Sequence, residues 1–109
     1  MDVIIGQTII KDFTISDPTT GMVSNATAVS CQVFAGNSNT PLLTPVPVFR
    51  TGQVGDYRVS FTASSANGFV IGQSYNIVVE ATVAGITAKA TIDSFILQSP
   101  LSLPVKTRI

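Results

Sequence analysis

The stretch Tyr75-Asn76-Ile77-Val78-Val79-Glu80-Ala81-Thr82-Val83-Ala84-Gly85-Ile86-Thr87-Ala88-Lys89-Ala90-Thr91-Ile92 decides the fold. Tyr75, Ile77, Val79, Ala81 and Val83 recur at every second position, with Asn76, Val78, Glu80 and Thr82 between them. After Ala84-Gly85 the period resumes, with Ile86, Ala88, Ala90 and Ile92 set against Thr87, Lys89 and Thr91. A repeat of two sends alternate side chains to opposite faces of an extended chain, so each run predicts a half-buried β-strand. The Ala-Gly pair between the runs predicts a tight hairpin turn.

The same grammar extends outward. Tyr57, Val59, Phe61 and Ala63 alternate with Arg58, Ser60 and Thr62; Val29, Cys31 and Val33 with Ser30 and Gln32; Phe13 and Ile15 with Asp12, Thr14 and Ser16. The abundance of Val, Ile and Thr suits a pleated surface. Turn chemistry separates the runs at Asp17-Pro18-Thr19-Thr20-Gly21, Gly36-Asn37-Ser38-Asn39-Thr40-Pro41, Thr51-Gly52-Gln53-Val54-Gly55-Asp56 and Asn67-Gly68. No segment carries a helical period. Strands are therefore expected at 7–16, 26–35, 44–50, 56–63, 73–83 and 86–97, forming an all-β antiparallel sandwich. Pro45 and Pro47 around Val46 assign the third strand to an edge. The phase of the last strand slips between Ile92 and Phe95, which predicts a β-bulge at Asp93-Ser94.

Composition narrows the function. The chain has 109 residues, 45% of them hydrophobic and 11% charged, with six basic and six acidic residues, one Cys and no His or Trp. That length suits one domain. A lone Cys cannot form an internal disulfide. Without His, Ser-His-Asp catalysis and His-ligated zinc are excluded. A balanced charge lacks the basic excess of a nucleic-acid binder. Charged residues make up about a quarter of an average domain, and a surface so poor in charge favours association.

The end of the chain, Gln98-Ser99-Pro100-Leu101-Ser102-Leu103-Pro104-Val105-Lys106-Thr107-Arg108-Ile109, differs from the rest. Its prolines oppose helix and sheet interior alike. Such an end is either a frayed terminus or an arm, and apolar residues at alternate positions suit strand addition to a neighbour. The domain is accordingly assigned to 1–98 and an extended C-terminal arm to 99–109. The arm's Leu101, Leu103, Val105 and Ile109 would supply apolar contacts, and Lys106 and Arg108 a basic end. The opening Met1-Asp2-Val3-Ile4-Ile5-Gly6 is acidic and too short in apolar residues for a secretory signal, so synthesis in the cytosol is expected.

Gly52-Gln53-Val54-Gly55-Asp56-Tyr57-Arg58-Val59-Ser60-Phe61 reads as G-x-x-G-x-Y-x-V-x-F. It is followed by Gly72-Gln73-Ser74-Tyr75, by Ala81-Thr82-Val83-Ala84-Gly85-Ile86-Thr87 and by Ser94-Phe95. Over residues 50–97 this resembles the immunoglobulin-like β-sandwich modules of tailed-bacteriophage virion proteins. The resemblance implies a non-enzymatic structural protein of the virion, in the first place a capsid decoration or cement protein. Its partners would be the major capsid protein or neighbouring virion subunits, in a homo-oligomer or larger assembly, with neither nucleic acid nor membrane. The alternatives are a head-tail neck, adaptor or tail component, and a receptor- or carbohydrate-binding adhesion module. The last predicts aromatics exposed on loops, with Phe69 as the candidate.

No residue set points to catalysis or to a cofactor. Cys31 shares an apolar face with Val29 and Val33 and is expected to be a core thiol. Asn25-Ala26-Thr27 matches a glycosylation sequon, a match expected to be chance because no export signal is expected. The carboxylates are scattered, and the Asn37/Asn39 loop lacks the acidic ligands calcium needs.

Overall fold

The computed structural model describes residues 2–36 and 38–99. Eight strands make up the described chain: β1 (Asp2–Ile4), β2 (Thr8–Thr14), β3 (Ala28–Ala35), β4 (Pro41–Leu43), β5 (Val48–Phe49), β6 (Asp56–Thr62), β7 (Ser74–Val83) and β8 (Ile86–Gln98). The one helical element among them is a 3₁₀ turn at Ser65–Asn67. Five strands form one sheet in the order β1-β8-β7-β3-β4, and three form the other in the order β2-β6-β5. All pairings are antiparallel except β1 with β8. The chain is thus an all-β sandwich, and its strand order is that of the immunoglobulin type, with the opening strand carried across to the edge beside the last.

The alternating residues fill the space between the sheets. Ile9, Cys31, Val33, Val59, Phe61, Tyr75, Ile77, Val79, Phe95 and Leu97 form the main buried cluster, and Ile15, Tyr57 and Val83 a smaller one. Each such aliphatic or aromatic side chain contributes roughly 1.5–3 kcal/mol on burial. Phe69 joins the main cluster, its ring 4.7 Å from that of Tyr75.

Both tyrosines tie loops to strands through their hydroxyls. Tyr75, near the start of β7, accepts a hydrogen bond from the Val70 N–H at 2.7 Å. This is a tyrosine corner, a mark of the same type of sandwich. Tyr57 accepts one from the Ala26 N–H at 3.0 Å, so its hydroxyl meets backbone rather than solvent. The Ala84-Gly85 hairpin turn has positive φ at both residues, 52° and 79°, the twist that matches the flanking strands.

The expected strands are present, with corrections. The third, expected over 44–50, is reduced to Val48–Phe49 at the edge of the smaller sheet. The prolines at 45 and 47 remove donors from the rest. β4 opens at Pro41, on the other sheet's edge, where a loop was expected. β1 was not foreseen. The bulge falls one residue earlier than expected: Asp93 lies opposite Ile77 and Thr91 opposite Val78, leaving Ile92 as the extra residue.

Candidate functional site

The first half of β8 is where pattern and burial part. Ile86, Ala88 and Ala90 stand opposite Val83, Ala81 and Val79 of β7. Directly opposed residues share a face, so these three point inward with Val79 and Val83, which are buried. Yet Ile86 is 46% exposed and every residue of Ile86–Thr91 is exposed. The sequence predicts half-buried residues here; the structure leaves their inner face uncovered.

The reason lies in the edges of the two sheets. β2 is the outermost strand of its sheet. β8 has β7 on one side, and on the other β1 pairs only with Ile96, Leu97 and Gln98. Before Ile96, β8 therefore has no strand neighbour on that side among the described residues. Between the two edges runs an apolar groove of about 240 Å³. Its floor is Val79, Ala81 and Val83; one wall is Ile86, Ala88, Ala90 and Ile92, the other Phe13, Ile15 and Pro18. The small side chains of Ala88 and Ala90 recess the β8 side.

A charged clasp sits beside the groove. Lys11 lies opposite the buried Val59, and Asp93 opposite the buried Ile77, so both point into the sandwich from rows that are otherwise apolar. They form an ion pair that joins β2 to β8 across the gap. The Lys11 hydrogen bond is the main cause holding the Asp93 carboxyl below its ordinary range; burial opposes it, and the Ser94 N–H adds to it. An inward-pointing charge also discourages uncontrolled pairing along a strand edge.

The other basic residues among those described are held in pairs. Arg58 donates to Asp12 from Nε at 2.7 Å and from Nη2 at 3.1 Å, and Arg50 bridges Asp12 and Asp56. Lys89 pairs with Glu80. Every Lys and Arg among the described residues thus has an acidic partner.

Other residues singled out by the sequence have structural places. Cys31 is buried and free, and burial pushes its thiol up to about 11. Phe69 is buried in the aromatic core rather than displayed on a loop. The Asn25 side chain accepts a hydrogen bond from the Gly55 N–H at 2.7 Å, bracing the turn before β6. No group of three or more His, Cys, Asp or Glu among the described residues is placed to hold a metal ion. Leu101, Leu103, Val105, Lys106, Arg108 and Ile109 lie outside the described residues.

The open groove and its clasp were missed in the sequence because an uncovered strand face carries the same alternation as a covered one. The one signal was the pair Lys11 and Asp93, each a charge standing in an apolar row. No protein-family model matches the chain, and no curated protein matches it.

Proposed function

We propose that the chain is a non-enzymatic structural subunit of a tailed-phage virion, a decoration or cement protein that binds major capsid protein or neighbouring subunits and stabilises the capsid lattice. The observation that carries this reading is an open apolar groove, bounded by two strand edges, on a surface where every Lys and Arg among the described residues is already paired. Such a surface has little to steer a nucleic acid by and much to bury against protein. A firm contact buries about 1,200–2,000 Å² in total, which a groove and an extended arm can supply together. The only thiol is buried and held protonated at neutral pH, so it is a poor nucleophile.

The test is to raise antibodies to the chain, apply them to purified phage particles that encode it, and view the labelled particles by electron microscopy. Label spread over the head supports the decoration reading. Label confined to the neck or tail moves the chain to a neck or tail role. Absence of the protein from purified particles, checked by mass spectrometry, overturns the virion reading.

A further inference from the structure

We infer that the groove between β2 and β8 is a receiving site for a donated β-strand, and that the strand it takes is the segment Leu101–Val105 of a second copy of this chain. The inference rests on the reading of the chain as an assembly subunit and names the contact by which it assembles.

The groove offers two things a donated strand needs. One is a strand edge with no neighbour among the described residues, along Ile86–Phe95. The other is a row of inward-facing side chains, Ile86, Ala88 and Ala90, left uncovered beside it. In strand addition, main-chain hydrogen bonds to the edge hold the guest, and alternate side chains fill the groove.

The segment has matching chemistry. Leu101, Leu103 and Val105 are apolar at alternate positions, with Ser102 and Pro104 between them. Alternate residues of a strand also direct their backbone groups to opposite edges. Pro100 and Pro104 both occupy even positions, so their missing N–H groups fall on one edge of the extended segment. Leu101, Leu103 and Val105 present a complete set of backbone groups to the other. A strand with prolines on one edge pairs through its opposite edge only, and β8 asks for a partner on one side only.

Reach selects the second copy. Val105 lies seven residues beyond Gln98, so it can travel at most about 25 Å from the end of β8. Ala88 lies ten residues back along β8, about 33 Å away. The edge nearest the chain's exit is also already taken by β1. The same chain's Leu101, Leu103 and Val105 therefore cannot lie along Ile86–Ala90, whereas a neighbour's can.

The test uses the full chain and light scattering after size-exclusion chromatography. The expected result is self-association that weakens at least tenfold in Ala88→Arg, which fills the groove, and equally in Leu103→Arg, which spoils the guest strand. Ile86→Lys serves as a second groove variant, and Ile10→Arg, on the exposed face of β2, should associate normally. Circular dichroism should show all four folded. Mixing Ala88→Arg with Leu103→Arg should restore association, because one keeps its segment and the other its groove. A wild-type chain that stays monomeric at several hundred micromolar overturns the inference. So does loss of association in Leu103→Arg but not in the groove variants, which would place the segment elsewhere. Loss in the groove variants but not in Leu103→Arg overturns it in favour of edge-to-edge pairing of β8. None of these outcomes bears on whether the protein is found in purified particles, so the two readings fail separately.

Discussion

Lys11 and Asp93 meet across the gap between the two sheets, each pointing inward from a row whose other members are apolar. The pair is only partly exposed, and it joins two strands that no backbone ladder connects. Asp93 has its carboxyl held below the usual range by Lys11, so the folded state favours the ionised form. A carboxylate depressed in this way stabilises the fold above its unfolded-state pKa, and the contribution is lost as pH falls through the folded-state value. Stability is therefore expected to be level from neutral pH to about pH 5 and to decline below it. Asp93→Asn should flatten that decline and lower stability at pH 7 by about 1 kcal/mol or less. Urea unfolding at pH 7 and pH 3 on both proteins checks this; an equal pH dependence in the variant would exclude the pair as its source.

Tyr75→Phe isolates the tyrosine corner. The ring is fully buried between Phe69 and Phe95 and would stay so, but the Val70 N–H would lose its acceptor. Leaving that group unpaired should cost about 1–3 kcal/mol. Thermal unfolding should show a fall of several degrees with unchanged circular dichroism at 25 °C.

How far these features were legible in the sequence depended on what periodicity can report. It gives the face a side chain takes, so the inward rows of β6 and β7 were readable from Tyr57 to Ala63 and from Tyr75 to Val83. It does not say whether anything covers that face. Ile86, Ala88 and Ala90 alternate as regularly as Val79 and Val83, yet they line an open groove. Short elements are also beyond its reach. Asp2–Ile4 has too few residues to display a period, and its pairing with Ile96–Gln98 joins opposite ends of the domain. Pro41 and the small polar residues before it have the composition of a loop, and the edge strand that Pro41 opens depends on β3 offering a partner.

Gly55 is a close-packed turn position. Its φ is +75°, and a Cβ there would lie 2.8 Å from the Ile15 carbonyl oxygen. The backbone of Ser24 is nearly as close, so the neighbours cannot yield as a flexible side chain would. Gly55→Ala should destabilise by more than about 1 kcal/mol, the ordinary cost of the left-handed region, because a clash is added to the strain. Gly52→Ala has the same sign of φ, 83°, but open space around it. The difference between the two variants in urea unfolding reports the close approach alone.

The Cys31 thiol should behave as part of the core. It is 2% exposed and pushed up to about 11, so at pH 7–8 both access and ionisation are denied to reagents that need thiolate. An aromatic disulfide reagent should leave it unmodified over hours in buffer and label it fully within minutes in denaturant. Rapid labelling of the native protein would mean that β3 opens locally far below the global unfolding energy.

The bulge in β8 lets one strand serve two registers. Before it, even-numbered residues face inward: Ile86, Ala88 and Ala90. After it, odd-numbered residues do: Asp93, Phe95 and Leu97, opposite Ile77 and Tyr75 of β7 and Val3 of β1. Ile92 alone takes up the change, since Thr91 and Asp93 already face consecutive residues of β7. Deleting Ile92 should therefore leave a continuous ladder with every other inward residue in place. The cost should be no more than the partial burial of one isoleucine, about 1–2 kcal/mol. Deleting Ser94 also closes the bulge, but then Ile92 lies opposite Ile77 and Asp93 opposite Asn76: Phe95 and Leu97 stay inward, while Asp93 leaves the inward row and Lys11 loses its partner. Both deletions should fold cooperatively, as read by the sharpness of thermal unfolding in the near-ultraviolet signal of Tyr75 and Tyr57, and only the deletion at 94 should lose the decline of stability at acid pH that the pair with Lys11 provides. Failure of the deletion at 92 to fold would mean that the bulge itself, and not the inward row, is what β8 requires.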